Sequence, residues 1–253
     1  GGVVIIPALK HFTSLSIHSI TATSLTAVTL ASTCAAVAYI EQGLADLGIA
    51  AMLGSSAILS SKAGAMLNHN LPTKVLTRLM AAFLLASVPA LLLKSPKEAL
   101  ADSAGAAPAA VAAEGAQWRF YLGRNAPTRE TLPQWLRENA HYCLLGLGTG
   151  FTTSLLGIGG GIIMVNYMAL ASPMPQHEIV ATSLVAMVPT GFAGAYYHMK
   201  AGHVNLRTGG LVGATSAVSM YLAAKYVAPH VDEATLTRLF AALLGFAAVK
   251  MLI

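Results

Sequence analysis

Charged residues are scarce in this chain. Asp, Glu, Lys and Arg together make up 10% of its 253 residues, whereas soluble domains carry about 25%. Hydrophobic residues make up 55%, and the mean hydropathy is +0.65. A water-soluble fold of this length cannot bury so much apolar surface with so few charges, but lipid tolerates it. The composition therefore predicts an integral membrane protein whose surroundings are a lipid bilayer.

Cysteine is also rare. Cys34 and Cys143 are the only two, and they form neither a CxxC pair nor a disulfide framework. We interpret both as small apolar packing residues. His198 and His203 flank Lys200, but no third ligand is near in sequence, and metal sites need three or four. We predict no metal and no cofactor, while a proton-coupling role for a histidine or an acidic residue stays open.

The net charge of +5 does not indicate a nucleic-acid-binding protein. The basic residues stand singly at the ends of apolar segments, without a basic face or interleaved aromatics. Single Lys and Arg residues at the ends of spans are typical of membrane proteins. No Ser/His/Asp set, P-loop or carboxylate pair is recognisable, so we predict neither an enzyme nor a nucleotide-driven pump.

Six apolar stretches approach the ~20 residues that cross a bilayer as a helix. They are 18–40, 44–67, 75–94, 177–199, 206–228 and 235–253. Two shorter runs, 141–156 and 162–171, are separated by Gly157-Ile158-Gly159-Gly160-Gly161, here called the Gly-rich joint. Each glycine costs a helix about 1 kcal/mol relative to Ala, so we predict two half-helices that meet there. Residues 1–9 are predicted to be the tail of the same kind of element.

The sequence repeats itself at a shift of 159 residues. The aligned pairs are Gly1-Gly2 with Gly160-Gly161, Ala22-Thr23-Ser24-Leu25 with Ala181-Thr182-Ser183-Leu184, Gly43 with Gly202, and Gly54 with Gly213. Chance explains scattered Ala and Leu matches, but not these polar and glycine positions in one order. The pattern indicates an internal duplication, which is a recurrent plan in secondary transporters.

The duplication predicts an all-α membrane protein of three parts. The first transmembrane repeat covers 1–94, and because the chain begins without Met we expect its N-terminus to be missing. A linker covers 95–140, as either a solvated segment or one at the membrane surface, and the second repeat covers 141–253. If the Gly-rich elements enter and leave on one face, the halves are inverted; if they cross fully, the halves are parallel. Lys and Arg in the loops do not decide between the two topologies.

The Gly-rich joint and the Thr-Ser pairs are the candidate substrate-binding residues. A helix broken inside a membrane exposes backbone N–H groups, and a helix N-terminus attracts anions; tight helix packing is the structural alternative. The hydroxyls can donate to an oxyanion or simply cap and back-bond their helices. The set is Gly1, Gly2, Thr23, Ser24, Gly159, Gly160, Gly161, Thr182 and Ser183.

Together these marks resemble the sulfite exporter TauE/SafE family. The resemblance rests on the Gly-rich joint, Ala181–Leu184, the turn from His198 to Gly202 with Val204–Arg207, and the close from Leu236 to Ile253. The first half carries the same marks at Gly1-Gly2, Pro7, Ala22–Leu25 and Gly43. It implies a permease of about eight membrane segments that moves sulfite, sulfonates or related sulfur oxyanions with an ion gradient. Asn166 departs from the pattern, since the family often has Pro there.

Two functions compete at this stage. The first is a secondary transporter for a small anion, in the cell membrane or an organelle inner membrane. The second is a transporter fold retained as a structural subunit of a larger membrane complex, with the linker as a docking segment. A monomer, or a homo-oligomer such as a dimer, fits the first function, and a stable larger membrane complex fits the second. An open polar cavity between the joint and the Thr-Ser pairs would favour transport.

Overall fold

The computed structural model describes residues 2–92, 132–172, 174 and 176–227. Within those ranges the chain is helical and has no strand, which confirms the predicted all-α class. Gly1, most of the predicted linker and the predicted span 235–253 lie outside the described residues, as does the close of the family pattern.

The described ranges contain nine α-helices. They are α1 (Gly2–Phe12), α2 (Ile17–Glu41), α3 (Leu47–Asn70), α4 (Thr73–Leu92), α5 (Leu132–Glu138), α6 (Ala140–Leu156), α7 (Gly161–Ala171), α8 (Gln176–Lys200) and α9 (Leu206–Leu222), which continues as a π-helical turn (Ala223–Val227). The short α5 falls inside the segment predicted as a linker. α7, α8 and α9 begin 159 residues after α1, α2 and α3 respectively.

The start of α3 and the start of α9 are capped in the same way. The Asp46 side chain accepts a hydrogen bond from the N–H of Ile49, and the Asn205 side chain accepts one from the N–H of Thr208. Such caps satisfy N–H groups that the first turn of a helix leaves without partners. The two caps are themselves 159 residues apart.

α2 and α9 lie side by side and run in the same direction. Near their starts, the hydroxyl of Thr23 accepts from the N–H of Asn205 at 3.1 Å. Near their ends, the side-chain amide of Gln42 donates to the carbonyl of Ala224 at 3.4 Å. The two contacts fix both ends of the pair.

α3 and α8 form a second parallel pair. Near their starts, the hydroxyl of Thr182 accepts from the N–H of Asp46 at 2.9 Å. Near their ends, the rings of His69 and His198 lie 4.9 Å apart, centre to centre. α3 therefore stands to α8 as α9 stands to α2.

The two parallel pairs run in opposite directions. Asn68, at the end of α3, donates to the hydroxyl of Thr21 at the start of α2 at 3.2 Å, so α2 and α3 are antiparallel. Where α2 crosses α8, Gly191 lies directly against the side chain of Thr29. Because α8 is parallel to α3 and α3 is antiparallel to α2, the helices α2 and α8 are antiparallel to each other.

α6 packs along α3 through glycines. A Cβ atom added at Gly64 would overlap the carbonyl of Phe151, and one at Gly150 would overlap the carbonyl of Ala57. Small residues allow two helix backbones to approach this closely, as is common between membrane helices. This contact directs the end of α6, and with it the Gly-rich joint, toward the start of α2.

Large apolar side chains cover the outside of several helices. Leu59 on α3, Leu144 on α6, Leu170 on α7 and Leu211 on α9 are between 66% and 84% exposed. Two helices in the described ranges, Ile17–Glu41 and His177–Lys200, are long and apolar enough to cross a membrane. Leucines facing outward are unfavourable in water and are accommodated by lipid.

Candidate functional site

The Gly-rich joint breaks the chain between α6 and α7. α6 ends at Leu156, Gly157 and Gly159 have φ angles of 68° and 89°, and α7 begins at Gly161. Positive φ is readily adopted only by glycine. The predicted break is thus present at the predicted residues.

No side chain of the described residues caps α7. Gly160 is its N-cap residue, and the first helical bond runs from the N–H of Met164 to the carbonyl of Gly160 at 3.0 Å. The N–H groups of residues 161–163 therefore precede the first full turn, where helices lack internal partners. A helix start of this kind favours a negative charge.

The start of α1 meets the Gly-rich joint. A Cβ atom added at Gly2 would lie 2.6 Å from the Cα and the carbonyl oxygen of Ile158, and 2.7 Å from the carbonyl oxygen of Gly157. Because backbone atoms cannot rotate aside, only glycine allows this approach. The structure therefore brings together the two Gly-rich elements that the repeat pattern paired.

Ser24 ties α2 to the joint. Its side chain is fully buried, and its hydroxyl donates to the carbonyl of Gly157 at 3.1 Å. Of the candidate hydroxyls, Ser24 is the one with a hydrogen bond to the joint itself.

Gly159 lies between α2 and α8. A Cβ atom added there would lie 2.7 Å from Cε of Met187 and 3.3 Å from Cγ1 of Val28. Val28 and Met187 are 159 residues apart, one on each helix. Ser24 precedes Val28 by one helical turn, and Ser183 precedes Met187 by one turn, so on these antiparallel helices the two serines lie in opposite directions from the level of Gly159.

Thr23, Thr182 and Ser183 use their hydroxyls within the fold. Thr23 and Thr182 accept the backbone N–H groups of Asn205 and Asp46, as described above. Ser183 donates to the carbonyl of Val180 at 2.8 Å within its own helix. The first two are contacts between distant parts of the chain, and the third is the back-bond that is common for Ser in helices.

Two hydroxyls beside the joint escaped the sequence interpretation. Thr153 and Ser154, in the last turn of α6, are buried, and neither Oγ atom has a hydrogen-bond partner among the described residues. A Cβ atom added at Gly160 would lie 2.6 Å from Oγ1 of Thr153. Buried hydroxyls normally have a partner, so these two are added to the candidate site.

Burial affects one acidic residue between the halves. It raises the pKa of the Asp46 carboxyl above its ordinary 3.8, and the N–H groups of Ile49 and Gly48 oppose part of that rise. The carboxyl therefore keeps its proton to a higher pH than in water.

Histidines far apart in sequence also meet. The rings of His18, His69, His198 and His203 form one group where α2 begins and α3 and α8 end. In the sequence His198 and His203 have no third partner nearby, because His18 and His69 lie more than 120 residues away. In the described residues no group of three or more His, Cys, Asp or Glu side chains is arranged to hold a metal ion.

Comparison with known proteins identifies the family. The model of the sulfite exporter TauE/SafE family matches residues 1–251. A "Probable membrane transporter protein YdhB" of Bacillus subtilis is 32% identical over 110 residues, which are 44% of this chain and 43% of that protein. A "Probable membrane transporter protein" of Haemophilus influenzae is 27% identical over 119 residues, 44% of this chain and 45% of that protein.

These alignments span less than half of each relative. No solved structure matches the chain significantly. The family match nevertheless extends over nearly the whole chain, and it confirms the resemblance inferred from the Gly-rich joint and the repeated Thr-Ser motif. The chain belongs to the sulfite exporter TauE/SafE family and is a membrane protein of that transporter family.

Proposed function

We propose that this protein is a secondary transporter for a small anion of the sulfite or sulfonate class. The observation that carries the proposal is the meeting of Gly2 with the Gly-rich joint, beside the buried hydroxyls of Thr153 and Ser154, for which the described residues offer no hydrogen-bond partner. A sulfur oxyanion has several acceptor oxygens and one or two negative charges. Backbone N–H groups and hydroxyls can bind such a group without placing a fixed charge in the membrane.

We also propose that the protein is an inverted repeat. Exchanged contacts support this: Thr23 accepts from Asn205 while Thr182 accepts from Asp46, and each residue of one pair is 159 positions from its counterpart in the other. Such reciprocity is the signature of a twofold relation. The antiparallel course of α2 and α8 supports inverted rather than parallel halves.

A second exchange supports the same relation. A Cβ atom added at Gly54 would lie 2.6 Å from Cγ of Pro189, and one at Gly213 would lie 2.6 Å from Cδ1 of Leu30. Gly54 and Gly213, like Leu30 and Pro189, are 159 residues apart. Inverted repeats place the substrate at their interface, and rocking of one half against the other gives alternating access.

Transport is tested by flux in proteoliposomes. The purified chain should take up labelled sulfite or a labelled sulfonate with saturation, and other sulfur oxyanions should compete. Thr153→Val should lower the flux at least about tenfold, since a hydrogen bond to a charged partner contributes about 1.5–3 kcal/mol. Ser24→Ala should also lower the flux, because it removes the hydrogen bond that holds the carbonyl of Gly157 in the joint.

Two matched variants serve as controls. Ser14→Ala changes an exposed serine near the start of α2, and Thr152→Val changes the threonine next to Thr153, whose hydroxyl already donates to the carbonyl of Gly148 at 2.9 Å. Both should keep wild-type flux. Absence of anion flux in the folded wild type, or equal effects of Thr153→Val and Thr152→Val, would refute the assignment.

A further inference from the structure

Four imidazoles form what we call the histidine cluster: His18, His69, His198 and His203. The ring centre of His69 lies 4.9 Å from that of His198 and 4.5 Å from that of His203. The ring centres of His203 and His18 are 6.0 Å apart. The four come from α2, α3, α8 and the loop between α8 and α9. The transport site proposed above makes no use of them.

Burial deepens across the histidine cluster. His198 is fully buried, whereas His18, His69 and His203 are half-buried. His69 contacts both His198 and His203. The cluster therefore leads from the end of the helix bundle, where solvent reaches it, to a ring inside.

The hydrogen bond of His198 fixes its tautomer. Its Nε2 lies 2.8 Å from the carbonyl oxygen of Ser154, and because a carbonyl only accepts, Nε2 carries the hydrogen. The neutral ring then has a basic lone pair on Nδ1. That atom is buried and has no partner among the described residues, so the ring has an open position for a proton.

His198 is connected to the Gly-rich joint. Ser154, whose carbonyl it contacts, stands three residues before Gly157, and the buried Ser154 hydroxyl has no partner in the described part of the chain. A positive charge on His198 would thus arise beside the proposed anion site. In a medium of low dielectric, opposite charges attract much more strongly than in water.

Among the described residues, the titratable groups that face His198 are the other imidazoles. Electrostatic repulsion reaches His198 from His18 on α2 and from His203 in the loop, and the same two rings also repel His69 on α3. α6 contributes the uncharged Ser154. Lys200 and Arg207, on α8 and α9, are exposed. Within the ranges that the structure describes, no carboxylate faces His198 to neutralise its proton, which leaves that charge to an incoming anion.

We propose that Nδ1 of His198 binds the proton that travels with the transported anion, and that the rest of the histidine cluster connects it to water. The proton leaves a hydronium ion at the half-buried rings and forms an N–H bond at Nδ1, giving an imidazolium. It returns to water when the anion leaves. This inference rests on the proposed anion transport, and imidazole suits the task because it titrates near neutral pH.

Substitution of His198 by Gln separates the proton site from the structural bond. A Gln amide can donate to the Ser154 carbonyl as Nε2 does, but it cannot take up a proton. The matched control is His11→Gln, which changes an exposed histidine at the end of α1, outside the cluster. Both variants are reconstituted as full chains.

The transport arm uses a labelled sulfonate and a pH-sensitive dye inside the vesicles. A sulfonate keeps one charge over the whole range, whereas sulfite takes up a proton itself near neutrality. Wild type and His11→Gln should accumulate sulfonate when the outside is acidic, with protons entering alongside. His198→Gln should accumulate at least about tenfold less sulfonate. It should still exchange labelled for unlabelled sulfonate when the concentrations inside and outside are equal. Sulfonate entry without proton entry in the wild type, or unchanged accumulation by His198→Gln, would overturn the proposal.

An arm without substrate separates this proposal from transport itself. Imidazole nitrogen NMR spectra of the purified protein should show His198 titrating together with its neighbours. His198→Gln should shift the titration midpoints of His69 and His203, and His11→Gln should shift neither. If no sulfonate moves but these shifts appear, transport fails and the proton site stands. If His198 never takes up a proton between about pH 4 and pH 9, the proton site is refuted whatever the flux.

Discussion

The Gly-rich joint allows a quantitative prediction at Gly157. An Ala there would have to adopt the φ of 68°, which costs about 1–2 kcal/mol for a residue with a Cβ. The Cβ would also lie 2.5 Å from the carbonyl oxygen and 2.8 Å from the Cα of Thr21. These are backbone atoms that cannot rotate aside, and overpacking costs about 1–3 kcal/mol. Gly157→Ala should therefore destabilise the protein by about 3 kcal/mol.

Two other glycines serve as references for the cost of positive φ and the cost of overpacking: Gly202 meets the first cost alone, and Gly148 meets neither. Gly202 has a φ of 75°, but no atom of the described residues lies within 4 Å of an added Cβ, so Gly202→Ala meets the backbone term alone. Gly148 lies within α6, and an added Cβ there would contact none of the described residues, so Gly148→Ala should gain up to about 1 kcal/mol of helix propensity.

The assay is thermal unfolding in detergent. For a chain of this size 1 kcal/mol shifts Tm by about 2–4 °C. Relative to wild type, Tm should change by about +2 °C in Gly148→Ala, about −4 °C in Gly202→Ala and about −6 to −12 °C in Gly157→Ala. If Gly157→Ala is no less stable than Gly202→Ala, the contact between the joint and α2 is wrong.

Three further outcomes are expected. Thr23→Val and Thr182→Val should each lower the unfolding free energy by about 1–3 kcal/mol, because each leaves a backbone N–H without its acceptor. The control Thr26→Val loses only a hydrogen bond to the carbonyl of Ala22 in its own helix and should lower the unfolding free energy less. Equal effects of all three would count against the exchanged contacts. Gly54→Ala should be less stable than Gly213→Ala, since the added Cβ meets the rigid ring of Pro189 in one case and the flexible end of Leu30 in the other; equal Tm values would contradict this. The pKa of Asp46 in the folded protein is raised above 3.8, so the stability that its protonated carboxyl contributes is fully present below pH 3.8 and is lost as pH rises through the raised pKa. The free energy of unfolding of wild type relative to Asp46→Asn should therefore fall over that range. A rise over the same range would show that the fold stabilises the carboxylate instead.

The sequence predicts most of the helices because their apolar runs are long. The stretches predicted at 18–40 and 177–199 are found at Ile17–Glu41 and Gln176–Lys200. The break at the Gly-rich joint also follows from local physics, since consecutive glycines disfavour a helix whatever surrounds them.

Partners across the fold could not be predicted from the sequence. Nothing near Thr23 indicates that its hydroxyl accepts from Asn205, which is 182 residues away. The histidine cluster was missed for the same reason, although each of its members stands near the end of an apolar run. Thr153 and Ser154 carried no signal, because hydroxyls in a helix most often bond to the preceding turn.

The inverted arrangement of the two halves is tested most directly by labelling from one side of the membrane. Glu41 and Lys200 are exposed, end α2 and α8, and are 159 residues apart. Glu41→Cys and Lys200→Cys are made as two separate variants in a Cys34→Ala, Cys143→Ala background. Each variant is reconstituted in sealed vesicles of known orientation and treated with a maleimide that cannot cross the membrane. Inverted halves predict that one cysteine reacts from outside and the other only after the membrane is permeabilised. Reaction of both from the same side would contradict the account.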